Sequence, residues 1–209
     1  MIPSPGEDAN VPGAVHAAKS ALRARLLERR RARSEAERTA CERAVSHALL
    51  AAPELRSARC VAAYAAVGPE PSVEPVLDAL AAAGVRVLLP VLQEGLDVEW
   101  AERPTTGHGL VASSVRRTLR EPAGPSLGVD AVATADVVLA PALAAGRDGT
   151  RLGRGGGSYD RALRRVSPSA LVVAVVWEDE LLDTVPTEPH DVRVGAVATP
   201  HGVLRLPTA

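Results

Sequence analysis

From Asp148 to Arg161 the chain reads Asp-Gly-Thr-Arg-Leu-Gly-Arg-Gly-Gly-Gly-Ser-Tyr-Asp-Arg, set between an apolar strand and a helical segment. Its chemistry points to phosphate. Glycine tolerates φ > 0 and close backbone approach, so successive N–H groups at Gly153, Gly155, Gly156 and Gly157 can converge on an anion. The helix that follows adds the partial positive charge of its N-terminus. Arg151 and Arg154 bring full charges on planar donors suited to phosphate or carboxylate. The run fits neither GxxxxGK[ST] nor a GxGxxG after the first strand, which argues against a Walker or dinucleotide loop. A flexible surface loop is the plain alternative, yet two arginines, three adjacent glycines and an acid at a strand-to-helix junction favour anion binding. Asp160, in the first turn of the helix, is placed either to interact with the helix dipole or to ligate a cation.

A second feature is a single lysine. Of 24 basic residues all are arginine except Lys19. A compact ammonium survives where a planar guanidinium would not serve, with chance survival as the alternative. Arg23 lies one helical turn further along the same face.

These residues need a scaffold, and the periodicity supplies one. Ala14 to Ala52 has helical spacing at Leu22, Leu26, Leu27, Val45, Leu49 and Leu50, with a break at Ser34-Glu35-Ala36-Glu37 and a stop at Pro53. The Arg29–Arg33 run, flanked by acids, reads as a solvated helix face rather than a nucleic-acid patch. Cys60 to Val67 reads as a buried strand, Val73 to Ala83 as a helix stopped by Gly84, and Val85 to Leu89 as a second strand, together a βαβ unit. Leu96 to Glu102 reads as an edge strand, while residues 103–130 lack clear periodicity. Val137 to Ala140 and Leu171 to Val176 are further strands around a helix at Tyr159 to Val166, and Val194 to Thr199 is expected to close the sheet. The order predicts a mainly parallel sheet with helices on both faces, a three-layer α/β/α sandwich.

Composition sets outer limits. The 209 residues suit one domain, expected over 14–209 after a disordered leader at 1–13. Phe is absent, so Ala, Val and Leu must build the core. A net charge of −1 gives no overall field for nucleic acid or an anionic membrane. Cys41 and Cys60 have no CxxC spacing and read as reduced structural thiols. No signal peptide or span long enough for a membrane appears, so cytoplasmic residence is expected.

Arg151 to Arg161 resembles the RLGRGGGYYDR signature of 5-formyltetrahydrofolate cyclo-ligases. Lys19-Ser20-Ala21-Leu22-Arg23 is similar to that family's amino-terminal KxxLR element, and Val185-Pro186-Thr187-Glu188-Pro189-His190-Asp191 to its VPxExHD element. Tyr64 to Glu70, Leu88-Leu89-Pro90 and Glu121-Pro122 match further family segments in order, so the resemblance runs from about residue 17 to 203. It implies a sheet of the NagB/RpiA/CoA-transferase-like kind. It also implies an enzyme that uses ATP and Mg2+ to convert 5-formyltetrahydrofolate into 5,10-methenyltetrahydrofolate. The implied partners are small molecules alone, ATP and a reduced folate, on a monomer or weak homodimer.

The resemblance also implies roles. Lys19, Arg23, Arg151, Gly153, Arg154, Gly155, Gly156, Gly157, Ser158 and Tyr159 would hold ATP, with Arg154 catalytic at the transferred phosphoryl group. Tyr64, Ala65, Glu70, Arg154 and Ser158 would line the folate site. Trp100 is either a wall of that pocket or a core indole. Asp160 and Asp191 would be the magnesium-linked acids. Four positions depart from the family pattern: Ser158 for the first tyrosine of YYD, Ala145-Gly146 for Phe-Asp, Gly195 for an acid and Ala142 for Gly. They leave room for a relative with an altered substrate or a binding protein without turnover. A sugar-phosphate or CoA-type transferase on a similar sheet is the rival outside the family.

Overall fold

The computed structural model describes residues 12–94, 97–104 and 110–207. The expected leader lies outside these residues, apart from Pro12 and Gly13, which open helix α1 (Pro12–Ala32). Helix α2 (Glu35–Ala51) begins at a capping box: the Ser34 hydroxyl accepts from the Glu37 N–H at 3.2 Å, and the Glu37 carboxylate accepts from the Ser34 N–H at 2.7 Å. Pro53 cannot extend α2 and opens the short α3 (Pro53–Ser57) instead.

The chain continues through β1 (Cys60–Ala62), α4 (Glu74–Ala82), β2 (Arg86–Leu92), β3 (Val98–Glu102), β4 (Leu110–Ala112) and β5 (Arg120–Pro122). It proceeds through β6 (Val137–Pro141), β7 (Ala144–Gly146), β8 (Arg151–Leu152), α5 (Ser158–Leu163) and β9 (Leu171–Val175). It ends with β10 (Leu181–Leu182), β11 (Ala196–Thr199) and β12 (Gly202–Arg205). The main sheet runs β12-β11-β9-β6-β1-β2-β3, with the five central strands parallel and β3 and β12 antiparallel at the edges. Small sheets β10-β7-β8 and β4-β5 complete the framework.

Alternate side chains of the parallel strands enter different cores, so these strands are apolar throughout. Val61, Leu89, Leu139 and Val173 face α2 and α4 through Val45, Leu49, Val76 and Leu77. Ala62, Leu88 and Val138 face the other way, onto Trp100, Val132, Ala162 and Leu163. Each fully buried Val or Leu contributes about 1.5–3 kcal/mol relative to exposure. The second helical layer is thinner than the sequence suggests, built from the six-residue α5 and a 3-10 turn at Val129–Thr134. Helix α1 covers neither face; Leu26 packs with Leu143, Ala144, Leu152 and Val185 over the β10-β7-β8 sheet.

Several boundaries move for identifiable reasons. Strand β1 stops at Ala62 rather than Val67 because the Val67 N–H turns to the Glu70 carboxylate at 2.8 Å, around Gly68 at φ 61°. Leu96 lies outside the described residues, and the edge strand starts at Val98. The sheet is closed by β12, not by the 194–199 segment, which forms the inner β11. In the Arg29–Arg33 run Arg30 is buried, correcting the solvated-face expectation. Its Nε and Nη2 donate to Glu180 at 2.7 and 2.6 Å, and Nη2 also donates to the Ala142 carbonyl at 2.5 Å. Arg29 and Arg33 both pair with Asp179. Both cysteines are buried and free, and burial pushes the Cys41 thiol up to about 12. Among the described residues no helix is long and apolar enough to cross a membrane.

Asp136 ties the base of the central strands together. Its carboxylate accepts from the Arg59 and Cys60 N–H groups at 2.8 and 3.0 Å, while its own N–H donates to the Cys60 carbonyl at 2.8 Å. Those two backbone donors hold its pKa below the usual carboxylate range. A depressed folded-state value stabilises the fold above the unfolded value and loses that contribution as pH falls through the folded one. Asp136→Ala is therefore expected to lower the melting temperature by about 3 °C at pH 7, the shift a modest loss makes in a domain of this size. The gap should close as pH falls below the ordinary carboxylate range and through the depressed folded-state value, where the wild-type carboxylate is also protonated. Scanning calorimetry across that range is the check, and a gap that persisted undiminished in acid would reject the assignment.

Candidate active site

Strand β1 crosses to β2 through α4 on one face, and β6 crosses to β9 through α5 on the other. The two connections leave in opposite directions, so a crevice opens beyond the C-terminal ends of β1 and β6, as at the switch point of doubly wound sheets. A cavity of about 700 Å3 lies here, lined by Tyr64 and Ala65 beyond β1, and by Pro141 and Ala142 at the end of β6.

The glycine segment divides into two parts. Asp148 and Gly149 belong to the β7–β8 turn, where the Asp148 carboxylate accepts from the Thr150 N–H and hydroxyl at 3.1 and 2.6 Å. Gly153 to Gly157 form the cavity wall, with Gly155 at φ 100° and Gly157 at φ 69°, values that L side chains rarely adopt. Gly157 is the N-cap of α5. Gly153 is required by proximity: a Cβ there would come 2.9 Å from Nη1 of Arg151. That guanidinium cannot readily move, because it is buried, ion-paired to Asp160 and hydrogen-bonded to the Pro141 carbonyl at 3.4 Å. Asp160 thus makes no side-chain cap; its observed partner is Arg151.

Helix α1 presents His16, Lys19 and Arg23 to the same cavity. Arg23 Nε donates to the Gly153 carbonyl at 2.9 Å, and its guanidinium lies beside Gly155. Lys19 is only 3% exposed, with Nζ 2.7 Å from Glu188 and 2.5 Å from Asp191. The lysine hydrogen bond holds the Glu188 carboxyl below its ordinary range. Burial acts to raise the Asp191 carboxyl, but the Lys19 and Glu188 N–H hydrogen bonds outweigh it and hold its pKa below the ordinary range as well. Glu188, His190 and Asp191 each offer a ligand atom within 4.8 Å of the others. Two hard carboxylate oxygens in that group fit magnesium.

On the opposite wall Arg154 reaches across to Glu70, Nη1 to Oε1 at 3.2 Å, and to the Val67 carbonyl at 3.4 Å. Glu70 is anchored by the Val67 N–H. Tyr64 lines the cavity and donates to the Pro71 carbonyl at 2.6 Å; Tyr159 lines it too and donates to the Ala63 carbonyl at 3.3 Å. Burial raises both phenols far above their ordinary range, so they remain neutral donors. Trp100 is not brought to the cavity: fully buried, it packs edge-to-face on Tyr159 at 6.5 Å and acts as core.

Of the four departures, Ser158 and Ala142 line the cavity. Ala145 is buried in β7, and Gly195 pairs with Val172 and Leu206 through its backbone, so neither bears on the site directly. Sequence reading passed over His16, Arg116 and Arg120, and gave roles to none of Glu121, Glu188 and His190. For His16 a signal existed, since it lies three residues before Lys19 and hence on the same helix face.

A switch-point crevice with a glycine loop, several cations and a carboxylate group has the make-up of an α/β enzyme site. A sequence model of the 5-formyltetrahydrofolate cyclo-ligase family matches residues 15–200. The 5-formyltetrahydrofolate cyclo-ligase of Mycolicibacterium smegmatis is 45% identical over 195 residues, spanning 90% of this chain and 97% of that protein. The NMR structure of Aquifex aeolicus 5,10-methenyltetrahydrofolate synthetase aligns at a TM-score of 0.78 and 27% identity, covering 91% of this chain and 94% of that one. A Mycoplasma pneumoniae 5,10-methenyltetrahydrofolate synthetase shares the fold at a TM-score of 0.68 and 19% identity, over 86% of this chain and 97% of that one. The chain belongs to the 5-formyltetrahydrofolate cyclo-ligase family.

Proposed function

We propose that this cavity carries out the ATP-dependent cyclisation of 5-formyltetrahydrofolate to 5,10-methenyltetrahydrofolate, with release of ADP and phosphate. The observation that carries the reading is that the glycine loop, the Lys19–Arg23 face of α1 and the Glu70 wall all border one cavity.

A formamide is a weak electrophile and its oxygen a poor leaving group. Transfer of the γ-phosphoryl group to the formyl oxygen forms an O–P bond, breaks the bond to ADP and leaves an iminium phosphate. N10 then attacks the activated carbon and loses its proton, the C–O bond to phosphate breaks, and the methenyl bridge remains. For such a transfer the protein supplies mainly position and charge. The amides of Gly155 to Gly157 cradle the phosphates, while Lys19 and Arg23 neutralise them from α1. Arg154, between the loop and Glu70, stabilises charge on the moving group. Glu70 accepts donors of the pterin ring, with Tyr64, Ala65 and Ser158 beside it. Tyr159 borders the nucleotide, and Arg151 acts from beneath the loop, fixing its shape through Asp160.

Asp191 and Glu188, with Asp160 by family resemblance, would hold magnesium, which would supply charge neutralisation on the phosphate oxygens. The reading places the sheet in the NagB/RpiA/CoA-transferase-like group. Two free buried thiols suit a reducing, cytoplasmic compartment.

The test is an absorbance assay for methenyltetrahydrofolate formed from 5-formyltetrahydrofolate with magnesium and ATP. Product should appear with ATP and fail to appear without it. Tight folate binding with no product would instead identify a binding protein, and turnover independent of ATP a transferase.

A further inference from the structure

The β4–β5 hairpin contributes Arg116, Thr118, Leu119 and Arg120 to the wall of the same cavity. From residue 110 to 120 it carries Arg116, Arg117 and Arg120 and no acid, in a chain whose net charge is −1. Elsewhere in the cavity Lys19 is mated to Glu188 and Asp191, Arg151 to Asp160 and Arg154 to Glu70, while Arg23 is held by the Gly153 carbonyl. Arg116 makes no ion pair with any described residue. Arg120 donates one Nη2 bond to the Leu110 carbonyl at 2.7 Å, which aims its fork along the hairpin.

The hairpin is also held in shape. Buried Ser113 accepts from the Val115 and Arg116 N–H groups at 3.3 and 3.4 Å, Leu119 donates to the Arg116 carbonyl at 2.8 Å, and Glu121 anchors β5 to β2 through the Leu92 N–H at 3.2 Å. Val111 and Val115 are 47% and 42% exposed on the same element. Positive, apolar and ordered, it complements a ligand that has an aromatic body and an anionic end.

Resting on the proposed function, we infer that this hairpin is the subsite for the anionic tail of the folate substrate. Arg116 and Arg120 take carboxylates of its terminal glutamate, and Leu119 packs against the aminobenzoyl ring. The nucleotide has its own cations on α1 and in the glycine loop, and Glu70 takes the pterin end. The glutamate at the substrate's far end must then leave the pterin pocket and meet charge elsewhere on the wall. Planar guanidinium forks match carboxylates in pairs, and on the hairpin wall neither Arg116 nor Arg120 is paired with an acid among the described residues.

The test compares 5-formyltetrahydrofolate with 5-formyltetrahydropteroate, which lacks the glutamate, in wild type, Arg116→Ala and the Arg116→Ala/Arg120→Ala pair. Wild type should favour the glutamate-bearing substrate in kcat/KM, and the single variant should lose about tenfold of that preference, a usual cost for one charged contact. The double variant should bring the ratio near one. The Arg116 side chain makes no hydrogen bond or ion pair with described residues, so the single variant remains informative if Arg120→Ala disturbs the hairpin. A preference equal to wild type in both variants overturns the inference while the proposed function stands. A rise in KM for ATP with the preference intact overturns it in favour of a nucleotide role. No turnover of either substrate by wild type sinks the proposed function, and the inference with it.

Discussion

Arg154→Ala is expected to lower kcat by about 10²–10³-fold, the usual loss when one preorganised donor to developing charge is removed. The residue stands between Gly153, where a Cβ would crowd the Arg151 guanidinium, and Gly155 at φ 100°, so its position is fixed by the loop and not by its own packing. Its side chain is 46% exposed, and its ion pair with Glu70 spans the cavity without supporting the core. With one partner exposed and Glu70 still anchored by the Val67 N–H, the pair contributes little to stability. The variant should therefore melt within a few degrees of wild type while losing turnover, and this separation of the two readouts carries the test. Initial rates of methenyltetrahydrofolate formation at saturating ATP and folate, set beside thermal melts, measure both. The fall should lie in kcat, because the interaction grows as charge shifts onto the transferred group. A variant with normal kcat would leave Arg154 as a bystander that merely pairs with Glu70.

That segment was legible in the sequence because its chemistry sits in consecutive residues: the glycines, Arg154 and the start of α5 are one short run. The central strands were legible for a related reason, since β1, β6 and β9 are buried on both faces and read as plain apolar runs. What sequence reading lost depends on partners far away in the chain. Arg30 and Glu180 are both 1% exposed and pair across 150 positions, so nothing near Arg30 distinguishes it from its solvated neighbours. The β4–β5 hairpin escaped because its strands are three residues long, too short to leave a period to detect. Strand β12 escaped likewise, as an edge strand with Leu204 facing out. Trp100 admitted two readings, and burial decides for the core, a property that alternation within β3 cannot assign by itself.

Lys19→Arg is expected to raise KM for ATP at least about tenfold, although it preserves the charge. In a chain where every other base is arginine, charge alone does not explain a lysine here. The ammonium lies 3% exposed between two carboxylates, 2.7 Å from one and 2.5 Å from the other, a gap that accepts a compact head. A guanidinium is planar and wider, and to make the same two contacts it would have to spread Glu188 from Asp191. Those carboxylates already outnumber the lysine, one positive charge against two negative, so a polyphosphate meeting them bare would be repelled. The divalent cation proposed for the same acids reverses that balance, and it can do so only while Lys19 keeps their oxygens close together. Spacing is then the function of the residue as much as charge. The reading predicts that Lys19→Arg and Lys19→Ala weaken nucleotide use together, with KM for ATP rising in both and the magnesium concentration for half-maximal rate rising alongside. Kinetics of Lys19→Arg that matched wild type would mean that charge suffices at this position, and the argument from spacing would fail.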